Sequence, residues 1–331
     1  MSRDVLHVFE RANRTYGVFL LDNDSGIQRE SFLNSFYKSF GFKEQLNSNW
    51  YEWFYTDNPL GYCNNYILVD LQKDTWIGGF GFAKKNYSYD GNAVVGGLAV
   101  NGFINPGYEG LGLYTGLISE GLNNESYSRS VAFSFPHQLN LASIKGHLKS
   151  GWLPFIKMSF IEIVIDGNEK SSGRVDQLND PMDLSEIDFA CVNLAAKLSF
   201  PRDYSELAWR YVSRPDKQYS YLAVAAGEGT GYMVLAYYTT REGNRRCQVA
   251  DYRYSTLTAL KHLIEEARFV AANKKCQVLD VLINPACECY EIYRNCGFVG
   301  RNEGYDLMTF SENPLQLGQD ALVTFGDFDV V

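Results

Sequence analysis

The sequence repeats itself, and this constrains its fold more than any other feature. Trp53-Phe-Tyr55-Thr-Asp-Asn-Pro59 and Trp209-Arg-Tyr211-Val-Ser-Arg-Pro215 share the pattern W-x-Y-x-x-x-P. Each follows a polar, aromatic-rich helical stretch. Each precedes an alternating apolar run, Tyr66 to Asp70 and Tyr219 to Val224, whose period of two is that of a strand. Further on, His147-x-x-x-Gly151-Trp152 and Tyr293-x-x-x-Gly297-Phe298 both close an amphipathic helix with a glycine where a left-handed cap is expected. The distance from Trp53 to Gly151 is 98 residues and from Trp209 to Gly297 it is 88, so the two copies differ by about one loop.

Between these landmarks the order of elements is the same. Copy one reads as strands near Tyr66 to Leu71, Trp76 to Lys85 and Ala93 to Ile104, a helix from Leu113 to Asn123, a strand from Val131 to Phe135 and a helix from Leu141 to Ser150. Copy two reads as strands near Tyr219 to Ala225, Gly231 to Thr239 and Arg246 to Tyr254, a helix from Thr256 to Asn273, a strand from Gln277 to Ile283 and a helix from Ala286 to Asn295. Hairpins followed by strand, helix, strand, helix and strand predict an α/β (α+β) fold: two tandem lobes, each a mixed central sheet flanked by helices. The expected domains are 1–165 and 181–331, joined by a polar linker at 166–180. A length of 331 residues accommodates both.

Composition narrows the class. With 46% apolar and 21% charged residues the chain belongs with folded proteins. Thirty basic against thirty-nine acidic residues leave a net charge of -9, and no long Lys/Arg run occurs, which argues against nucleic acid as a partner. The N-terminal MSRDVLHVFERANR has no uninterrupted apolar core, and runs such as GVFLL are too short to span a bilayer, so a cytoplasmic address without membrane attachment is expected. The seven cysteines, Cys63, Cys191, Cys247, Cys276, Cys287, Cys289 and Cys296, have no spacing of a disulfide framework or zinc ribbon; reduced thiols and no metal are expected.

The copies differ most usefully between the long strand and the next helix. Copy one has Asn105-Pro-Gly-Tyr-Glu-Gly-Leu-Gly-Leu-Tyr114, where Gly110 and Gly112 lead into a helix N-terminus whose amides and dipole favour an anion such as a pyrophosphate. A tight turn that merely uses glycine is the alternative. Copy two has Asp251-Tyr-Arg-Tyr-Ser-Thr-Leu-Thr-Ala-Leu260 there, with no glycine, so a division of labour is expected. Copy one holds a nucleotide cofactor and copy two shapes the other substrate's pocket.

These residues resemble the GNAT superfamily of acyl-CoA-dependent N-acyltransferases. Ile104-Asn-Pro-Gly-Tyr-Glu-Gly-Leu-Gly-Leu-Tyr114 resembles motif A, V-x-P-x-Y-R-G-x-G-x-G, whose loop amides hold the pyrophosphate of coenzyme A. Asn140-Leu-Ala-Ser-Ile-Lys-Gly-His-Leu-Lys-Ser-Gly-Trp152 resembles motif B, N-x-x-A-x-x-x-Y-x-x-x-G-F. The resemblance implies an acyl-CoA donor, acetyl-CoA or a short-chain hydroxyacyl-CoA, held by Phe103, Ile104, Gly107, Tyr108, Gly110, Leu111, Gly112, Leu113, Tyr114, Asn140 and Ser143. A main-chain N–H near Phe103 and Ile104 would serve the oxyanion. Three positions depart from the motifs: Glu109 replaces Arg, Tyr114 replaces a small residue, and His147 stands where motif B has the Tyr that protonates the departing thiolate.

The doubled W-x-Y-x-x-x-P pattern and the C-terminal Phe325-Gly-Asp-Phe-Asp-Val330 resemble tandem-GNAT enzymes that N-acylate nucleotide-linked, typically dTDP-linked, amino-dideoxy sugars for surface polysaccharides. That implies a sugar nucleotide as partner; the reading allows a homodimer. His147, with an ordinary pKa near neutrality, and His137, at a strand end in Phe135-Pro-His-Gln138, are the catalytic candidates, although a helix cap and a turn residue account equally for them. For the acceptor the candidates are Trp50 and Tyr55, which could stack a base, Arg210 and Arg214, which could pair a diphosphate, and Asp327 and Asp329 in the acidic tail. Trp53 and Trp209 recur in both copies and are expected in the core. Two rival readings are a tRNA-dependent aminoacyl or peptidyl transferase, which the net charge disfavours, and a non-catalytic acyl-CoA-binding regulator, which Glu109 would favour.

Overall fold

In the computed structural model the described residues are 5–40, 47–125, 131–178, 197–224, 229–311 and 321–327. The chain divides into two compact units, one of residues 1–86, 95–155 and 306–316, the other of 87–94, 156–305 and 317–331.

The first unit is built on β1 (Val5–Arg11), β2 (Arg14–Leu20), β3 (Asn64–Asp70), β4 (Thr75–Tyr89), β5 (Asn92–Ile104) and β6 (Ala132–Ser134), adjacent in that order. The pairs from β1 to β4 are antiparallel, whereas β5 and β6 run parallel, from Gly97↔Ala132 to Ala99↔Ser134. A parallel pair requires a crossover, and α3 (Leu113–Asn124) supplies it. Its apolar stripe, Leu113, Leu117, Ile118 and Leu122, packs on Tyr16, Tyr66, Phe80 and Phe82 from the sheet. Helices α1 (Gly26–Phe40) and α2 (Ser48–Tyr51) and, after β6, α4 (Leu141–Lys149) complete the unit.

The second unit repeats the plan. Here β7 (Leu153–Val164), β13 (Val278–Ile283), β12 (Arg245–Tyr254), β11 (Gly231–Thr239), β10 (Tyr219–Val224) and β8 (Val175–Leu178) lie in that order. The parallel pair is β12 with β13, and the crossover is α6 (Leu257–Asn273), whose Leu260, Leu263, Ile264 and Ala267 are completely buried. The two short helices are α5 (Tyr204–Leu207) and α7 (Cys289–Asn295), and β14 (Val299–Phe310) follows the second. Within the polar 166–180 stretch, Val175–Leu178 is a strand: its backbone pairs with β10, and buried Glu266 accepts hydrogen bonds from Ser171, Ser172 and Gln177.

Both sequence landmarks have a structural cause. Each W-x-Y lies in one turn of π-helix, Glu52–Thr56 and Ala208–Val212, closed by Asp57 N–H donating to Glu52 O and Ser213 N–H to Ala208 O, both at 2.9 Å. The wide turn points Trp53 and Trp209 inward, at 2% and 6% exposure. Gly151 (φ +86°) and Gly297 (φ +95°) end their helices in the left-handed region. The next amides, Trp152 and Phe298, return to the carbonyls of His147 and Tyr293, both at 3.1 Å. No helix among the described residues is long and apolar enough to cross a membrane.

Candidate functional site

The distinctive site lies in the first unit where β5 hands over to α3. The β5–β6 pairing stops at Ala99↔Ser134, and two residues later Asn101 adopts φ +50°, a left-handed conformation inside a strand. Such a residue costs about 1 kcal/mol or more and persists only where its surroundings hold it. Here Asn101 Nδ2 donates to the Tyr55 hydroxyl at 2.6 Å. The kink turns Gly102, Phe103 and Ile104 toward a cleft of about 370 Å³.

The loop that follows is fastened at both ends. Asn105 donates its backbone N–H to Ile77 O at 2.7 Å, and its side chain reaches Ser35 Oγ and Trp76 O. Tyr108 donates to buried Asp70 at 3.1 Å, with Lys73 and Arg14 over its ring. Between and beyond these anchors, Gly107, Gly110 and Gly112 have φ of +88°, +76° and +72°, and a Cβ on any of them would meet nothing within 4 Å. Gly112 is the N-cap of α3, and no side chain caps that helix. The equivalent helix of the second unit, α6, is capped by Thr256, whose hydroxyl accepts from Ala259 N–H at 3.1 Å. Of two helices in equivalent places, one has its first turn closed by its own side chain and the other presents it to a glycine loop.

The cleft is lined by the strand end Gly102, Phe103 and Ile104, the loop residues Tyr108, Glu109, Gly110 and Gly112, and Leu113, Tyr114 and Thr115 of α3. Opposite them stand Asn140, Ala142, Ser143, Lys145, Gly146 and Lys149, with Ser39 and Phe40 completing the wall. Of the positions expected to hold the donor, Gly107 and Leu111 are absent from this lining, and Leu111 packs against the core. Lys145 and Lys149 were not singled out in the sequence, although their spacing of four puts them on one helical face; exposed beside the loop, they add positive charge. Glu109 works against that charge. Its carboxylate folds back to accept the Gly107 N–H at 2.6 Å, taking one loop amide. The open space at the glycines, the uncapped helix and the two lysines together fit a diphosphate-bearing ligand.

The catalytic candidates lie elsewhere. His147 is 2% exposed and does not line the cleft. Its Nδ1 is 2.8 Å from Ser143 O, a pure acceptor, so Nδ1 carries the proton and Nε2 accepts from Ser134 Oγ at 2.8 Å. Burial brings its pKa down to about 4, against the Ser143 carbonyl that favours the charged form. Near neutral pH this histidine is an uncharged strut, which corrects its expected role as proton donor. His137 is half-buried in a turn after Pro136, and its Nδ1 accepts from Leu139 N–H at 3.2 Å; it too is off the cleft.

Among the described residues, the acceptor candidates are packed against neighbours within the fold. Trp50 (4% exposed) stacks on Phe54 and Tyr55 (0%) packs edge-on to Phe32, so neither offers a face to a base. Arg214 is held bidentately by Asp216 at 2.7 and 3.2 Å. Arg210 is buried, reaching Phe325 O at 3.4 Å. Asp327 is fully buried and accepts from Arg202 Nη2 at 2.5 Å, while Arg202 Nε also binds Asp251 at 2.5 Å. Burial alone would raise Asp251, but Arg202 and Arg253 bring it down to about 2. The acidic tail therefore closes a core ion network as far as Asp327; Asp329 lies outside the described residues.

No protein-family model and no curated protein matches the sequence. Solved structures do. A GCN5-related N-acetyltransferase from Anabaena variabilis superposes with a TM-score of 0.62 at 12% identity, covering 89% of this chain and 72% of that one. N-myristoyltransferase of Saccharomyces cerevisiae with bound myristoyl-CoA gives 0.64 at 10% identity, over 94% and 85%. A probable N-acyltransferase from Enterococcus faecalis gives 0.63 at 12%, over 89% and 72%. The fold is the mixed α/β fold of GNAT-type acyltransferases.

Proposed function

We propose that the chain is an acyl-CoA-dependent N-acyltransferase whose donor binds in the first unit. The observation that carries this reading is the uncapped N-terminus of α3 behind three left-handed glycines, facing the open edge of a kinked strand. The amides of Gly110, Gly112 and Leu113 with Lys145 and Lys149 suit a diphosphate, and the strand edge from Gly102 to Ile104 suits an amide-bearing arm and the oxyanion of a tetrahedral intermediate. The thioester supplies an acyl carbon and a thiolate leaving group. The protein holds donor and amine in one orientation, which removes about 7 kcal/mol or more of the barrier when alignment is good.

For the acceptor we propose a nucleotide-linked amino-dideoxy sugar, supported by the doubled W-x-Y-x-x-x-P pattern and the C-terminal sequence. The test is direct. Acetyl-CoA and a panel of amines, including dTDP-linked amino sugars, free amino sugars and peptide N-termini, are incubated with the protein while free thiol is followed. Release with the sugar nucleotides alone supports both statements. Release only with another amine keeps the acyltransferase and replaces the acceptor, and CoA binding without release to any amine leaves a regulator.

A further inference from the structure

One wall of the cleft is a ring. Tyr114 is the second residue of α3, and its side chain crosses to two backbone stretches that carry no side chain. A Cβ on Gly102 of β5 would fall far inside contact distance of the Tyr114 hydroxyl oxygen, and one on Gly146 of α4 would lie 2.5 Å from its Cδ1. Neither glycine has a positive φ, so what both supply is room rather than conformational freedom. The ring meets His147 edge-on with centroids 5.9 Å apart. On its far side are His147 and its partner Ser134, neither of which lines the cleft. Strand and helix leave a gap between them, and this ring fills it.

We propose that Tyr114 is the specificity-determining residue of the cleft, a stop that restricts the donor to short acyl groups. The proposal rests on the acyl-CoA reading above and names the class of donor within it. A molecule lying in the cleft has the phenol as its inner wall. A two-carbon acyl group can end in front of that wall, whereas a longer chain must unseat a ring packed between two main chains. The Gly102–Gly146 socket is specific to that ring, because any side chain at either position expels it.

Calorimetric titration of the full chain with CoA, acetyl-CoA and octanoyl-CoA tests this. The wild type binds acetyl-CoA at least about tenfold more tightly than octanoyl-CoA, the scale on which a rigid pocket rejects a few misplaced methylenes. Tyr114→Ala brings octanoyl-CoA to parity or better, while Tyr114→Phe, which keeps the ring, keeps the discrimination. Gly146→Ala displaces the ring from its other side and relaxes selectivity as Tyr114→Ala does, which separates a stop from an unstable variant. Equal binding of both donors by the wild type, or an unchanged ratio in both Ala variants, overturns the proposal. Failure of CoA itself to bind overturns the acyl-CoA reading instead, and the stop falls with it.

Discussion

Gly112→Ala is the most informative single change in this molecule, because it adds one methyl group where the protein has nothing to meet it. At φ +72° an alanine costs about 1 kcal/mol relative to glycine, and the methyl adds no clash, since nothing lies within 4 Å of the new carbon. At roughly 2–4 °C per kcal/mol for a chain of this order, the melting temperature falls by only a few degrees. The ligand is affected far more. The methyl projects into the open side of the cradle and prevents one charge-assisted hydrogen bond, worth about 1.5–3 kcal/mol, so CoA binding weakens by about ten- to a hundredfold. Gly91→Ala is the matched control: it has φ +77° and open space around its Cβ, but it lies in the β4–β5 turn, away from the cleft. The two variants are compared by thermal unfolding and by calorimetric titration with CoA. Equal stability losses with affinity lost only at Gly112 are expected. If Gly112→Ala binds CoA as tightly as Gly91→Ala does, the loop does not hold the diphosphate.

Three further outcomes are expected. His147 is neutral in the fold with its pKa brought down to about 4 from an ordinary 6.5, so the unfolded chain takes up the proton first as pH falls. Stability is then lost between about pH 6.5 and 4, by about 3 kcal/mol in all, and His147→Gln flattens that slope; urea melts at pH 7.5 and 4.5 measure it, and an unchanged slope in the variant refutes the assignment. Asp327→Asn removes a charge from the buried Arg202 network and destabilises by about 3 kcal/mol; a loss below about 1 kcal/mol in urea melts would show the pair to be dispensable. Glu109→Arg frees the Gly107 amide and reverses the charge beside the cradle, raising CoA affinity about fivefold at low salt, with the gain fading as salt rises. An affinity that falls on this substitution would mean that the carboxylate contributes to binding.

The architecture was legible because it is periodic and repeated. The strands at 219–224 and 231–239 and the helices at 113–124 and 257–273 lie within a residue or two of where hydrophobic period and glycine punctuation put them. The glycine loop was legible for a local reason: left-handed glycines at a strand-to-helix turn announce themselves in a few consecutive letters. Residue types alone misled for Trp50, Tyr55, Arg214 and Asp327. An aromatic ring or an arginine is chemically as suited to a ligand as to the interior, and what separates the two uses is its neighbours. Trp50 finds Phe54, Arg214 finds Asp216, and Asp327 finds Arg202 at a sequence separation of 125.

By itself the sequence determined that the chain builds one mixed α/β plan twice, and that only the first copy has a glycine loop ahead of its crossover helix. Both follow from local rules, the period of a strand or helix and the left-handed freedom of glycine. The tertiary structure alone decided which polar side chains are spent on the fold. It buried His147 between two serines, enclosed the tail carboxylate in an arginine network, and set Tyr114 across the cleft between two glycines 44 positions apart in the chain. Burial and pairing are properties of distant neighbours brought together, and no short stretch of sequence carries them.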